Sequence, residues 1–308
     1  MKLRKVTHSP LEDLIVTNIT NEELDVRLEE QIDRGCIEGE QWFRNYYYWY
    51  SVPGFANPYK TPFEELPLLL KEEDALKPIL ARTLKVFYGL GIGDTEIVPV
   101  TWDLRVEKKS EIYAIDVVRD FIENFIQGLR NLIVVPEFRS SSILFLGNTT
   151  LFEKLAQKDF EFEGVEYARR THICFGNTIG NFDQETIFSV FEKTVRKGDY
   201  LLLGYHLNDA QSAILDQYET NFRFQRFFLA CLEKYTDIQS KKLRWDYNKQ
   251  MNTVEAWLGD TLAFRSKKYD QVELENFVRK FGFEVVRRKL TRIHFKFGLV
   301  GISLLEKT

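Results

Sequence analysis

Leu84-Lys85-Val86-Phe87-Tyr88-Gly89-Leu90-Gly91-Ile92-Gly93-Asp94 carries an apolar run straight into a turn with glycine at alternate positions. Glycines placed directly after a strand let the backbone bend sharply and approach a ligand that side chains would keep away. Further along, Ile112-Tyr113-Ala114-Ile115-Asp116 is a second apolar run, closed by an acid. A third run, Thr171 to Phe175, leads into a glycine-and-amide turn, Phe175-Gly176-Asn177-Thr178-Ile179-Gly180-Asn181-Phe182. In this order the three signals describe a small-molecule cofactor held at the carboxyl ends of parallel strands.

The rest of the middle repeats the strand-turn-helix theme. Strands are expected over Leu84–Tyr88, Glu111–Asp116, Ser142–Leu146, Thr171–Phe175 and Tyr200–Leu203. Helices are expected from near Thr95, along Phe121, Ile122, Phe125, Ile126 and Leu129, and from Asp183 with Ile187, Phe188, Val190 and Phe191 on one side. The tail reads as a helix over Val272–Phe281, a stop at Gly282, and strands over Glu284–Leu290 and Ile293–Leu304. This is an α/β pattern: helices covering a mainly parallel sheet with an antiparallel edge. Asn208 to Cys231 is helical in pattern, and Met251–Leu258 and Thr261–Arg265 are extended.

The domain reading follows from these shifts. Residues 1–80, with an insertion over about 208–262, form an accessory, substrate-binding region. Residues 81–207 and 263–308 form the core. The dense aromatic segment from Gln41 to Tyr50 is either a core-packing layer or a pocket wall for a flat or cationic substrate. Asn57-Pro58-Tyr59 reads as a turn.

Composition narrows the class. Lys and Arg number 42 against 46 Asp and Glu, a formal charge of -4, with no long basic block to wrap a phosphate backbone. Cys36, Cys174 and Cys231 are scattered and form no CxxC pair, so neither a disulfide framework nor a zinc site is expected, and no metal is assigned. Runs such as Leu66 to Leu70 are far shorter than a membrane span. A cytoplasmic protein acting on a small molecule, with neither nucleic acid nor membrane as partner, is the expectation.

Asp116, closing the second strand, stands where an acid accepts hydrogen bonds from ribose hydroxyls. That points to a nucleoside cofactor, either a dinucleotide or S-adenosyl-L-methionine. The dinucleotide phase puts Glu96 where the last glycine should stand, and Asp94 and Glu96 would face a doubly anionic pyrophosphate. A methionine zwitterion with a sulfonium tolerates those acids far better.

The chain resembles the S-adenosylmethionine-dependent amino-acid N-methyltransferases typified by the histidine Nα-methyltransferase of ergothioneine biosynthesis. Four segments carry the likeness: Leu90–Asp94, Phe175–Phe182, Leu201–Asp209, and the pair Val254-Glu255-Ala256-Trp257 and Ser266-Lys267-Lys268-Tyr269. The resemblance implies a Rossmann-like methyltransferase sheet plus a smaller substrate-binding domain. It implies Gly89, Gly91, Gly93, Asp116 and Asn148 around the cofactor. Gly89 stands where the family has an acid, and Asn148 where an acid lies near adenine. It further implies Asn181 and Tyr218 on the substrate amino acid and Glu255 orienting its side chain. Trp257, Tyr47 and Tyr50 depart from the family pattern and are expected as aromatic substrate contacts through cation–π interaction with a methylated ammonium.

Each residue also has a plain structural role open to it. Asn181 could cap the helix beginning near Asp183, Tyr218 could be a buried helix residue, and Glu255 a surface acid paired with a basic neighbour. His206 is a candidate base or a loop histidine, and His294 a strand residue. Three functions stay open: N-methylation of a free amino acid or small amine, an inert partner protein of the same fold, and O-methylation of another metabolite.

Overall fold

A computed structural model describes residues 65–81, 83–88, 94–104, 112–116, 125, 143–147, 169–208, 215–216, 218–219, 243–291 and 299–308, the strands at 112–116 and 143–147 by their backbone. A seven-stranded sheet is its centre. In chain order the elements are α1 (Glu65–Lys71), α2 (Glu73–Leu80), β1 (Leu84–Tyr88), α3 (Asp94–Leu104), β2 (Ile112–Asp116), β3 (Ile143–Gly147) and β4 (Arg170–Cys174). There follow a 3-10 turn (Thr178–Gly180), α4 (Gln184–Thr194), β5 (Tyr200–His206), β6 (Leu243–Asn248), β7 (Thr253–Leu258) and β8 (Thr261–Lys267). The chain closes with α5 (Gln271–Arg279), β9 (Phe283–Thr291) and β10 (Val300–Lys307).

The large sheet runs β3-β2-β1-β4-β5-β10-β9. β3, β2, β1, β4 and β5 are mutually parallel, and β10 pairs antiparallel with both β5 and β9. Strand order reverses between β1 and β4, the crevice where open α/β sheets bind their ligands.

Burial on both faces accounts for the largely apolar reading of β1 and β5, and β4 is buried along its whole length although Arg170, Thr171 and His172 are polar. Successive residues serve opposite layers. Val86, Tyr88, Leu201, Leu203 and Tyr205 face α4 and α5 through Ile187, Phe188, Phe191, Leu274 and Val278. Phe87, Ile173, Leu202, Ile302 and Leu304 face Leu68, Leu69, Leu76 and Leu80 of α1 and α2 and Val100 and Trp102 of α3. Burying each such side chain stabilises the fold by roughly 1.5–3 kcal/mol. Lys85 interrupts the apolar run, yet its ammonium donates to the carbonyls of Leu80 and Thr83, both at 2.9 Å, at the end of α2.

Capping sets where the helices start. The Asp183 carboxylate accepts from the Thr186 N–H at 2.9 Å to open α4, and Asp270 accepts from Val272 and Glu273 to open α5. Gly282, at φ 73°, follows the end of α5 as expected.

Two boundaries fall differently from the sequence reading. β10 begins at Val300, while residues 292–298 lie outside the described set. Residues 65–80, grouped by sequence with the accessory region, form α1 and α2 and pack against the large sheet.

β6, β7 and β8 form a separate antiparallel sheet. Alternation along it puts Trp245, Ala256 and Phe264 on one face and Asp246, Glu255 and Arg265 on the other. Tyr218 packs on the first face, its ring 5.1 Å from Trp245 and 6.4 Å from Phe264 between centroids.

Candidate active site

The parallel strands bring three carboxyl ends side by side. Tyr88 of β1 stands opposite Ile115, and Asp116 of β2 stands opposite Gly147, the last residue of β3. The sequence that leaves these ends holds the glycine run and Asn148. Gly89, Gly91, Gly93 and Asn148 themselves lie outside the described residues, as do Tyr47, Tyr50 and His294. By residue type alone, the sequence at these ends supplies glycine amides and a side-chain amide as donors and the Asp116 carboxylate as an acceptor, types suited to a nucleoside bearing an amino-acid tail.

The next strand end is described in full. After β4 the chain turns through Gly176 at φ 70° and Asn177 at φ 54°, two successive left-handed residues that glycine and asparagine adopt most readily. The Gly176 N–H donates to the Glu65 carboxylate at 2.9 Å. Burial raises the Glu65 carboxyl above its ordinary range, against the lowering effect of the backbone N–H donors around it.

Asn177 is a bolt between the two sheets. Its Oδ1 accepts the His206 N–H at 2.9 Å, at the tip of β5. Its Nδ2 donates to Ser266 Oγ at 3.1 Å and to the Lys267 carbonyl at 3.2 Å, at the end of β8. Gly180 permits this approach: a Cβ there would lie 2.5 Å from Asn177 Nδ2 and 2.6 Å from the Lys267 carbonyl oxygen. The strap continues where Tyr269 pairs with Leu207 and its hydroxyl donates to the Ile179 carbonyl at 3.0 Å. The small sheet is therefore fastened at the carboxyl ends of β4 and β5.

A buried polar cluster lies at this junction. The fully buried Lys268 ammonium donates to Tyr218 Oη at 3.0 Å, Ser266 Oγ at 3.1 Å and His206 Nδ1 at 3.1 Å. Burial, and after it the neighbouring ammonium, holds the His206 imidazole well below its usual value, so it is neutral at physiological pH. This favours a neutral hydrogen-bonding role over that of a charged acid.

The remaining sequence candidates separate. Asn181 sits half-buried at the end of the 3-10 turn, its N–H donating to the Thr178 carbonyl at 3.1 Å. Asp183, not Asn181, caps α4. Tyr218 is buried in the polar cluster. Glu255 is buried on the opposite face of the small sheet, accepting from Thr253 Oγ1 at 3.0 Å and Asn248 Nδ2 at 3.2 Å, with Arg265 Nε at 3.4 Å. Trp257 shares that opposite face with Arg244, whose guanidinium lies 6.0 Å from the indole. Asn177, Ser266, Lys268 and Glu65 carry the described site, and the sequence reading assigned none of them a role. The signal for Asn177 was its place in the Gly-Asn turn; nothing in the sequence marked Lys268 as buried.

No group of three or more His, Cys, Asp or Glu that could hold a metal ion occurs among the described residues. No described helix is long and apolar enough to cross a membrane.

Residues 57–303 match the family model of the histidine-specific, S-adenosylmethionine-dependent methyltransferases. The chain belongs to this family. The methyltransferase is thus an enzyme whose cofactor is S-adenosylmethionine, and its large sheet is the methyltransferase α/β sheet. No curated protein is a significant match to it. Among solved structures, a methyltransferase from Methanosarcina mazei is 14% identical, with 75% of this chain and 96% of that one covered and a TM-score of 0.44. One from Anabaena variabilis is 9% identical, covers 97% and 100%, and scores 0.46. Magnesium protoporphyrin IX methyltransferase from Synechocystis, solved with S-adenosylhomocysteine, is 12% identical, covers 94% and 89%, and scores 0.41.

Proposed function

We propose that this methyltransferase methylates the amino nitrogen of a free amino acid. The observation that supports it is the Asn177 bolt, which fixes a small sheet and a buried polar cluster at the strand ends beside the topological switch point. A small polar substrate held there lies next to the nucleoside end of the crevice. When bound, S-adenosylmethionine supplies an electrophilic methyl on a sulfonium.

The chain's own part is orientation. Asn181 and Tyr218 hold the amino acid by hydrogen bonds that add no net charge. Alignment of the amine lone pair with the methyl carbon supplies much of the rate, because no covalent enzyme intermediate is required. The amine must arrive unprotonated. The buried Lys268 ammonium beside the site disfavours a second cation, which promotes release of that proton to water.

The test is a methylation assay with S-adenosylmethionine across free amino acids, histidine, tryptophan and tyrosine included, with the matching hydroxy acids. Product mass by spectrometry distinguishes one, two or three added methyls. Turnover of an amino acid, and none of its hydroxy analogue, supports the reading. Methylation of the hydroxy acid alone rejects it.

A further inference from the structure

β5 runs on to His206, while its neighbour β4 ends at Cys174, opposite Leu203. A longer β4 would offer the His206 backbone one carbonyl and one N–H; two other elements supply them. Asn177 Oδ1 accepts the His206 N–H at 2.9 Å, and the Tyr269 N–H donates to the His206 carbonyl at 2.8 Å. A side-chain amide thus stands in for a peptide group at the edge that β4 leaves. The other end of the same amide donates to Ser266 Oγ and to the Lys267 carbonyl, so it engages both sheets.

The turn that carries this amide is wound by its own bonds. The Gly180 N–H donates to the Asn177 carbonyl at 2.8 Å, the Asn181 N–H to the Thr178 carbonyl at 3.1 Å, and Thr178 Oγ1 to the Phe175 carbonyl at 2.7 Å. A turn tied in this way shifts as a unit. Among the described residues its seat is set by Glu65 on the Gly176 N–H, by Tyr269 Oη on the Ile179 carbonyl, and by the Asn177 amide. Of these the amide grips β5 and β8 together. At φ 54° glycine would suit the backbone of position 177 as well as asparagine does, so what asparagine adds there is its side chain.

We infer that Asn177 is a positioning residue for methyl transfer: by registering the turn against β5 and β8 at once, it fixes where Asn181, half-buried at the far end of that turn, meets the substrate. This rests on the amino-acid reading above.

The test compares the wild type with Asn177→Gly, which keeps the left-handed backbone and deletes the amide. The wild type is assayed with S-adenosylmethionine on L-histidine, L-tryptophan, L-tyrosine and their hydroxy acids. Both proteins are then compared on whichever of these the wild type methylates, with calorimetric titration of S-adenosylhomocysteine alongside. In Asn177→Gly kcat/KM should fall by about 10- to 100-fold, as for a misplaced substrate-orienting group, while the Kd for S-adenosylhomocysteine changes by less than about two-fold. A role in stability alone would lower the melting temperature and leave kcat/KM untouched well below it. Gly180→Ala, whose Cβ would lie 2.5 Å from Asn177 Nδ2, presses on the same amide and should give the same split if Asn177→Gly does not fold. An unchanged kcat/KM in a folded Asn177→Gly, or an equal loss of cofactor affinity, overturns the inference. Methylation of a hydroxy acid alone rejects the amino-acid reading, and the comparison on that acid still decides the role of Asn177. Turnover of nothing in the panel by the wild type rejects Asn181 as the substrate's holder and the inference with it.

Discussion

The Glu65 carboxylate accepts the Gly176 N–H at 2.9 Å, joining the first described helix to the turn after β4 across 111 positions of sequence. The same carboxylate fills the space over Gly204, where a Cβ would lie 2.5 Å from Glu65 Oε1. Burial raises its pKa, so the folded state binds its proton more readily than the unfolded chain.

Glu65→Gln keeps an acceptor for Gly176 and removes the buried charge. For the wild type, stability is fullest below the ordinary carboxylate pKa and is lost as pH rises through the raised folded value. The Gln variant should therefore melt at or above wild type at pH 8, with its relative advantage shrinking toward pH 4. Glu65→Ala strands the Gly176 N–H and should lose about 1–3 kcal/mol. Calorimetric melting across this pH range checks both.

Gly180→Ala should push the 3-10 turn away from the end of β8. The added Cβ meets a backbone carbonyl as well as Asn177 Nδ2, so the strain has no flexible neighbour to absorb it. The expected loss is about 1–3 kcal/mol in denaturant unfolding. Substrate affinity should fall further than cofactor affinity, because the shift opens the bolt between the sheets.

Tyr218→Phe leaves the ring packed on Trp245 and removes an acceptor from Lys268. Under the proposed function KM for the amino acid should rise by about ten-fold or more, the range of a hydrogen bond to a charged group. Steady-state kinetics at saturating cofactor checks it. A change in kcat with KM untouched would argue against a binding role.

Asp116→Asn tests the sugar-binding role expected of the acid that closes β2. The Kd for S-adenosylhomocysteine should weaken by about 10- to 100-fold, the range for a hydrogen bond to a charged group. Isothermal titration reads it directly. Glu255→Gln, on the far face of the small sheet, should leave that Kd unchanged.

Much of the fold was legible because central strands buried on both faces read as uninterrupted apolar runs. Tyr200–Leu203 was of that kind and Leu84–Tyr88 nearly so, broken by Lys85, and the helix from Asp183 showed in its apolar side although Asn181 rather than Asp183 was the cap considered. β6 escaped notice although Trp245 and Tyr247 alternate with Arg244 and Asp246, since such a short alternation gains meaning only once β7 is beside it. The site was legible in its turns and opaque in its partners. Asn181 and Tyr218 stood out by motif position. Lys268 did not, because a lysine next to another lysine reads as surface, and only the folded chain shows one buried and the other in a salt bridge with Glu273. Glu255 was legible as an acid and not as to which face of its sheet it occupies.

Positions 65 and 204 behave as a single locus. Anything larger than hydrogen at 204 must displace the head of the residue at 65, and a shorter residue at 65 leaves a hollow that 204 is then at liberty to fill. Relatives should accordingly vary at the two sites in concert, small against large. An engineer who alters one of them alone disturbs the turn after β4, and through it the seat of the small sheet.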